Sequence, residues 1–234
     1  MNGTESTALK SKLNILFLSH ERKLGGANLC LLELATEMKK RGHRVVVTVL
    51  FRNCPLDRAL KEAGIDTFPC FYGWWQMPKN WNLLIKTAFR LTHLLDIPAG
   101  IRLRHLIKKN DINVIYSNTS CIDIGMKTAR KTGLPHIWHF REFGEADYGL
   151  MYMNGRERSL SKVNDTASKV VFISEALRKS YPEIKDELAQ VVYDGVSTAN
   201  ASESKLHHKD RKTFLVSGNL SKGKNQMLVL RAFS

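Results

Sequence analysis

LNILFLSHERKLGGANLCLLELATEMKKRGHRVVVTVLF, residues 13–51, decides the fold. Leu13–Ser19 is an apolar run of the kind a strand covered on both faces requires. His20–Gly26 is a loop carrying Arg22, Lys23 and the pair Gly25-Gly26. Ala27–Arg41 reads as a helix, with Leu31, Ala35 and Met38 on one stripe. Lys39, Lys40 and Arg41 suit its negative C-terminal end, and Gly42 suits a left-handed cap. His43–Phe51 is a second strand built on Val45-Val46-Val47. Strand, glycine loop, helix and strand in this order predict a right-handed parallel crossover.

The rhythm continues downstream. Pro55–Ala63 reads as a short helix and Ile65–Phe71 as a strand. Ile112–Ser117 is a strand, followed by a helix through Lys131 that stops at Gly133. Pro135–Phe140 and Lys169–Ile173 are strands. Ser174 suits the N-cap of the next helix, with Glu175 as its first-turn acid. Gln190–Tyr193 is a short strand. The class is α/β, a doubly wound parallel sheet over residues 12–196. In such sheets ligands lie beyond the carboxyl ends of the strands. Loops 20–26, 117–120 and 140–149 are therefore expected on one edge.

Composition bounds the rest. The 234 residues are 43% hydrophobic and 25% charged, which is globular, and the net charge is +14. A basic chain favours anionic partners. Cys30, Cys54, Cys70 and Cys121 form no CxxC pair, and buried reduced thiols of a cytoplasmic protein are expected. No apolar run reaches spanning length, and residues 1–11 read as a disordered N-terminus. Residues 197–212 are polar and read as a linker. Residues 213–234 read as the first strand and helix of an incomplete second domain, since one strand and one helix make no core.

Residues 74–110 break the rhythm. They carry seven Lys/Arg against one acid, Asp96. On a helix from about Leu83, the side chains Leu84, Ala88, Leu91 and Leu95 share a face, with Lys86, Arg90 and His93 opposite. Trp74, Trp75 and Trp81 precede it. Tryptophans at headgroup level and a basic amphipathic helix would face an anionic membrane surface. A core helix with a solvated basic face fits the same pattern. No recognisable nucleic-acid-binding module surrounds it, so nucleic acid is not expected as a partner.

Near the end of the sequence, Gly218-Asn-Leu-Ser-Lys-Gly-Lys-Asn225 meets the Walker pattern GxxxxGK[ST] except at its last place. Asn225 is a poor replacement for the Mg²⁺-binding hydroxyl, which leaves a P-loop nucleotide-binding protein as an alternative reading only. Glycines, Lys222 and Lys224 beside a helix start still make a credible anion site.

Four stretches in order then carry a resemblance. GGANLCLLELATEMKKRGHRVVV (25–47), HIWHF (136–140), VVFISEALRKSY (170–181) with VVYDGVS (191–197), and VSGNLSKGKNQMLVLRAFS (216–234) together resemble the N-terminal part of a GT-B glycosyltransferase of family 4. The resemblance implies transfer of a sugar from a nucleotide-sugar donor to a glycan or lipid-linked acceptor. It implies retention of configuration, with no cofactor and no metal, in cell-surface polysaccharide or glycolipid synthesis. Lys224 would bind the donor's phosphates. Asn219 stands where the family often has arginine. Gly25 and Gly26 match the loop facing the diphosphate. His139 matches the acceptor-side histidine, with Glu142 as a candidate polar partner; a satisfied loop histidine and a surface ion pair with Arg141 are the bland readings. Arg22 and Lys23 are read as solvated, with contact to a phosphate as the other reading. The family's paired glutamates lie beyond Ser234, so by resemblance the chain is truncated and transfers little alone. A noncatalytic acceptor- or membrane-binding subunit, working with a partner chain that supplies the donor domain, is the other alternative. The expected location is cytoplasmic, or peripheral on the inner membrane face.

Overall fold

A computed structural model describes residues 12–195, 214–218, 220 and 224–233. They divide into a first compact unit ending at Asp194 and a second beginning at Gly195. The expected disordered N-terminus 1–11 and linker 197–212 lie outside the described residues, as does Asn219.

The first unit is a parallel sheet of seven strands, with helices on both faces. Its strands are β1 (Asn14–Leu18), β2 (Arg44–Val49), β3 (Asp66–Pro69), β5 (Val114–Ser117), β6 (His136–Phe140), β8 (Lys169–Phe172) and β9 (Ala189–Val191). The spatial order is β3-β2-β1-β5-β6-β8-β9. A separate antiparallel pair joins β4 (Gln76–Pro78) to β7 (Leu150–Tyr152). The helices of this unit are α1 (Gly26–Lys40), α2 (Pro55–Glu62), α3 (Leu83–Leu91), α4 (Asp96–Lys109), α5 (Ile124–Thr132), α6 (Glu145–Tyr148), α7 (Arg156–Thr166) and α8 (Glu175–Lys179), with a 3₁₀ turn Thr92–Leu95 joining α3 to α4.

The period of two explains the unbroken apolar character of β1. Ile15 and Phe17 turn to one face, where Leu31 and Ala35 of α1 and Leu56 and Leu60 of α2 cover them. Leu16 and Leu18 turn to the other, against Leu103, Leu106 and Ile107 of α4 and Ala129 of α5. A third cluster fills the far half of the sheet around Trp138, Phe140 and Phe172, with Leu160 and Val163 of α7 and Tyr181. The helix ends follow their sequence signals. Gly42 and Gly133 take left-handed φ of 87° and 71° after α1 and α5, and the Ser174 hydroxyl accepts from the Leu177 N–H at 3.1 Å.

The chain leaves β1 toward β3 on one side, then crosses back to β5 and runs to β9 on the other. The switch in direction lies between β1 and β5, where doubly wound sheets form a ligand crevice beyond the strand ends.

The second unit contains α9 (Gln226–Ala232). Phe214–Ser217, expected as a strand, pair with no neighbour among the described residues; a strand without a ladder partner leaves its backbone groups to solvent. The Phe214 ring packs on Phe233 with centroids 4.7 Å apart.

Candidate functional site

Three strand ends at the switch point supply the polar groups. β1 delivers Ser19 and His20, β5 delivers Asn118, Thr119 and Ser120, and β6 delivers His139, Arg141 and Glu142. All three loops expected on this edge meet there. The Asn118 side-chain amide donates to the Ala27 carbonyl at 2.9 Å, tying the β5 loop to the start of α1. Arg141 Nε donates to Asn118 Oδ1 at 2.9 Å, and its Nη1 donates to both carboxylate oxygens of Asp194 at 2.8 Å.

His139 stands within β6 and is 4% exposed, so it is a strand residue and not the loop histidine of the bland reading. The Tyr116 hydroxyl lies 2.7 Å from its Nδ1, and Arg141 Nη2 lies 3.3 Å from the same atom. A guanidinium only donates, so Nδ1 is the acceptor and the ring proton sits on Nε2. That Nε2 is buried and has no hydrogen-bond partner among the described residues. Burial, followed by the charge of Arg141, lowers the His139 pKa to about 3. The ring is therefore neutral at pH 7, a donor held in one orientation with its N–H unspent.

Glu142 is an acid taken out of water. Its Oε1 accepts from the Thr119 hydroxyl at 3.0 Å. Its Oε2 accepts from the Ser120 N–H at 3.2 Å and the Ser120 hydroxyl at 3.1 Å. Burial pushes its pKa up against these hydrogen bonds, which oppose the shift. It does not form the surface ion pair with Arg141 considered from sequence; Arg141 pairs with Asp194. Glu142 instead locks the 119–120 loop. His20 Nε2 lies 4.0 Å from Glu142 Oε1 and 3.9 Å from Glu21 Oε1. Burial lowers His20 to about 4, against the raising effect of Glu21, so this is contact with a neutral ring. Its Nδ1 is also buried without a partner among the described residues.

Nothing in the sequence singles out His20, Asn118 or Asp194. The one available signal was position, since His20 and Asn118 closely follow strands whose carboxyl ends face the crevice.

Gly25 is the N-cap of α1 and Gly26 its first residue, with no side-chain cap on the helix. A Cβ on Gly26 would meet no protein atom within 4 Å. The helix start therefore has open space at Gly26, while a Cβ on Gly25 would lie 3.5 Å from Glu21 Oε2; an anion there would meet the first N–H groups of the helix beside that carboxylate. Lys224 is exposed in the second unit, and Asn225 is the N-cap of α9 in a left-handed conformation, φ 51°, with no side-chain cap on the helix.

The insert corrects one expectation. Trp75, expected to face a membrane, is 3% exposed. It stacks on Trp138 with centroids 5.3 Å apart, and its Nε1–H donates to the Ser120 carbonyl at 2.7 Å. The indole is large enough to complete the core under the 119–120 loop and finds an acceptor there, which outweighs any interfacial preference. Trp74 is half-buried and donates to the His20 carbonyl at 3.3 Å. Trp81 packs edge-on against Phe89. Lys86 donates to the Lys79 carbonyl and Arg90 to the Met153 carbonyl, both at 2.9 Å.

Behind the insert, donor atoms of His93, Asp96 and Asp123 lie within 4.8 Å of one another. The Lys127 ammonium already sits among them, 2.8 Å from Asp96 Oδ2, 2.9 Å from Asp123 Oδ1 and 3.2 Å from His93 Nδ1. A metal ion would have to displace that cation. Among the described residues, no helix is long and apolar enough to cross a membrane.

The model of Glycosyltransferase Family 4 matches residues 24–200. Among solved structures, HepE of Anabaena in complex with UDP superposes with a TM-score of 0.57 at 20% identity, over 79% of this chain and 44% of its own. A glycosyltransferase from Rickettsia africae ESF-5 gives 0.54 at 16% identity, over 79% and 44%. MurG of Acinetobacter baumannii gives 0.52 at 14% identity, over 79% and 47%. At these identities the likeness is one of fold. The chain spans less than half the length of these three structures. Among curated proteins, no sequence match is found.

Proposed function

This chain belongs to glycosyltransferase family 4 and carries the Rossmann-like fold of GT-B glycosyltransferases; from that premise we propose that it forms the acceptor-side wall of a retaining transferase. The donor is a nucleotide-sugar, and the acceptor is a glycan or lipid-linked sugar of cell-surface polysaccharide or glycolipid synthesis. The reaction runs at the inner face of the membrane without a metal.

The observation that carries the reading is the His139 ring. Tyr116 and Arg141 occupy Nδ1, burial keeps the ring uncharged, and Nε2–H remains unpaired. A buried donor without a partner costs about 1–3 kcal/mol, a cost that a ligand oxygen at the crevice would offset. His139 is proposed to donate to a sugar or acceptor oxygen, orienting it without taking its proton. Glu142 acts through the 119–120 loop as a positioning residue. When the bond from sugar to diphosphate breaks, the acceptor oxygen replaces it and negative charge grows on the leaving diphosphate, which takes up the proton that the acceptor hydroxyl gives up. The N–H groups at Gly25-Gly26 are proposed to receive that charge. Lys224 and Asn219 keep the donor-phosphate role that the resemblance implies.

The test is sugar transfer by the full-length protein with His139→Ala and His139→Asn. Loss of the donor in His139→Ala is expected to lower kcat/KM about 100-fold. His139→Asn, which keeps an N–H, recovers part of it. Between pH 5 and 8 the wild-type rate shows no limb assignable to His139. A wild-type limb abolished in His139→Asn would make the ring a general base and overturn the donor role.

A further inference from the structure

The surface that the tryptophans vacate is not polar. α3 is nine residues long and none of its side chains is buried. Leu84 is 82% exposed and Leu91 61%. The ridge runs on through Leu94 and Leu95 of the 3₁₀ turn to Ile97 and Ile101 of α4, all exposed. A monomer rarely leaves so long an apolar strip in water unless something covers it.

Charge identifies what covers it. The helices carry Lys86, Arg90, Arg102, Arg104, Lys108 and Lys109. The one acid among them, Asp96, is buried and paired with Lys127, so its charge is not displayed. At Ile101 the ridge passes between two grooves. One, of about 530 Å³, is lined by Arg102, His105 and Lys109, with the single acid Asp66 on its β3 side. The other, of about 260 Å³, is lined by Arg104 and Lys131, with Lys127 held by Asp96 and Asp123. An apolar spine with cations on both flanks matches acyl chains below and lipid phosphates beside them. A second copy of the chain would bring the same cations against themselves.

We propose that the aliphatic ridge from Leu84 to Ile101 enters the interface of an anionic membrane, with lipid phosphates in the two flanking grooves. Aliphatic side chains make the insertion, and the tryptophans of the insert stay with the protein. Trp74, hydrogen-bonded to the His20 carbonyl, ties this surface to the crevice. The inference builds on the reading of a transferase at a membrane, but it is measured without transfer.

The experiment is flotation of the full-length protein with vesicles of phosphatidylcholine containing about 30% phosphatidylglycerol, against phosphatidylcholine alone. Binding is expected only to the anionic vesicles and is released by salt. The triple variant Leu84→Gln/Leu91→Gln/Ile97→Gln is expected to bind more than about tenfold more weakly. Replacing Arg102, Lys108 and Lys109 by Gln is expected to lose about fivefold per cation. Equal binding to both vesicles, binding to neither, or a triple variant that binds like wild type overturns the proposal. So does a dimer in solution that the triple variant abolishes, since a second copy would then be the occupant. Transfer to a soluble acceptor stays unchanged in these variants. If transfer is absent while anionic binding holds, the transferase reading fails and the surface stands.

Discussion

The carboxyl edge of the sheet and the ridge from Leu84 to Ile101 handle their groups in opposite ways. At the edge, polar side chains are buried and almost every hydrogen bond is made within the protein. Among the described residues, one imidazole nitrogen each on His20 and His139, and Asn28 Oδ1 at the start of α1, are left over. On the ridge, aliphatic side chains are exposed and nothing among the described residues covers them. One region has unpaired donors and acceptors inside; the other has unpaired apolar area outside. Both are what a free protein looks like where a ligand or a surface is meant to complete it. They differ in how strongly the fold depends on them, and that difference can be measured.

The largest expected effect is at the edge. Trp138 is fully buried, stacks on Trp75 and donates to the Thr119 carbonyl at 2.7 Å. Trp138→Ala is expected to cost about 3–5 kcal/mol, read as a lower urea midpoint with loss of ordered loop 119–120. A cost near that of a surface substitution would mean that the loop stands without its support.

The pH dependence comes next and has opposite signs in the two regions. Burial lowers His20 to about 4 and His136 and His139 to about 3. Unfolded, each titrates near 6.5. Between those values the unfolded chain binds more protons. Stability from these rings is therefore full above pH 6.5 and lost as pH falls toward 4, by at most about 1.4 kcal/mol per pH unit per ring. His93, beside the ridge, is raised by its hydrogen bond to Asp96. Its contribution is full below 6.5 and lost as pH rises through the raised value. Melting temperature across pH 4–8 is expected to fall on the acid side, with that slope flattened in His139→Asn; in His93→Gln the acid side keeps its slope and the loss of stability above pH 6.5 disappears. An acid limb that survives unchanged in His139→Asn would assign it elsewhere.

The smallest effect belongs to the ridge. Leu84→Gln with Leu91→Gln is expected to change stability by less than about 0.5 kcal/mol per site, since neither side chain is buried. A larger loss in the same urea titration would mean that the ridge packs against the chain itself, and the contrast between the regions would collapse.

The legibility of the molecule follows from range. β1, α1 and β2 follow the apolar runs, the Leu31/Ala35 stripe and Gly42 closely, because these are signals within a few residues of one another. The pair β4–β7 was not legible: each strand has three residues, and some 70 residues separate them. The site was half legible. His139 was found through a motif, yet its tautomer depends on Tyr116 and Arg141. Glu142 was noticed, but its partners Thr119 and Ser120 come from another strand end. Trp75 shows the limit most plainly. Its neighbours in sequence made a membrane aromatic of it, while Trp138 and the Ser120 carbonyl made it core.

By itself, then, the sequence determined the alternating α/β architecture, the shared edge of the loops and the basic amphipathic character of the insert. Each is carried by local periodicity and charge. Only the tertiary structure decided which groups remain unpaired: the Nε2 of His139 inside and the aliphatic ridge outside. An unpaired group is defined by what every other part of the chain fails to offer it, and no local pattern contains that information.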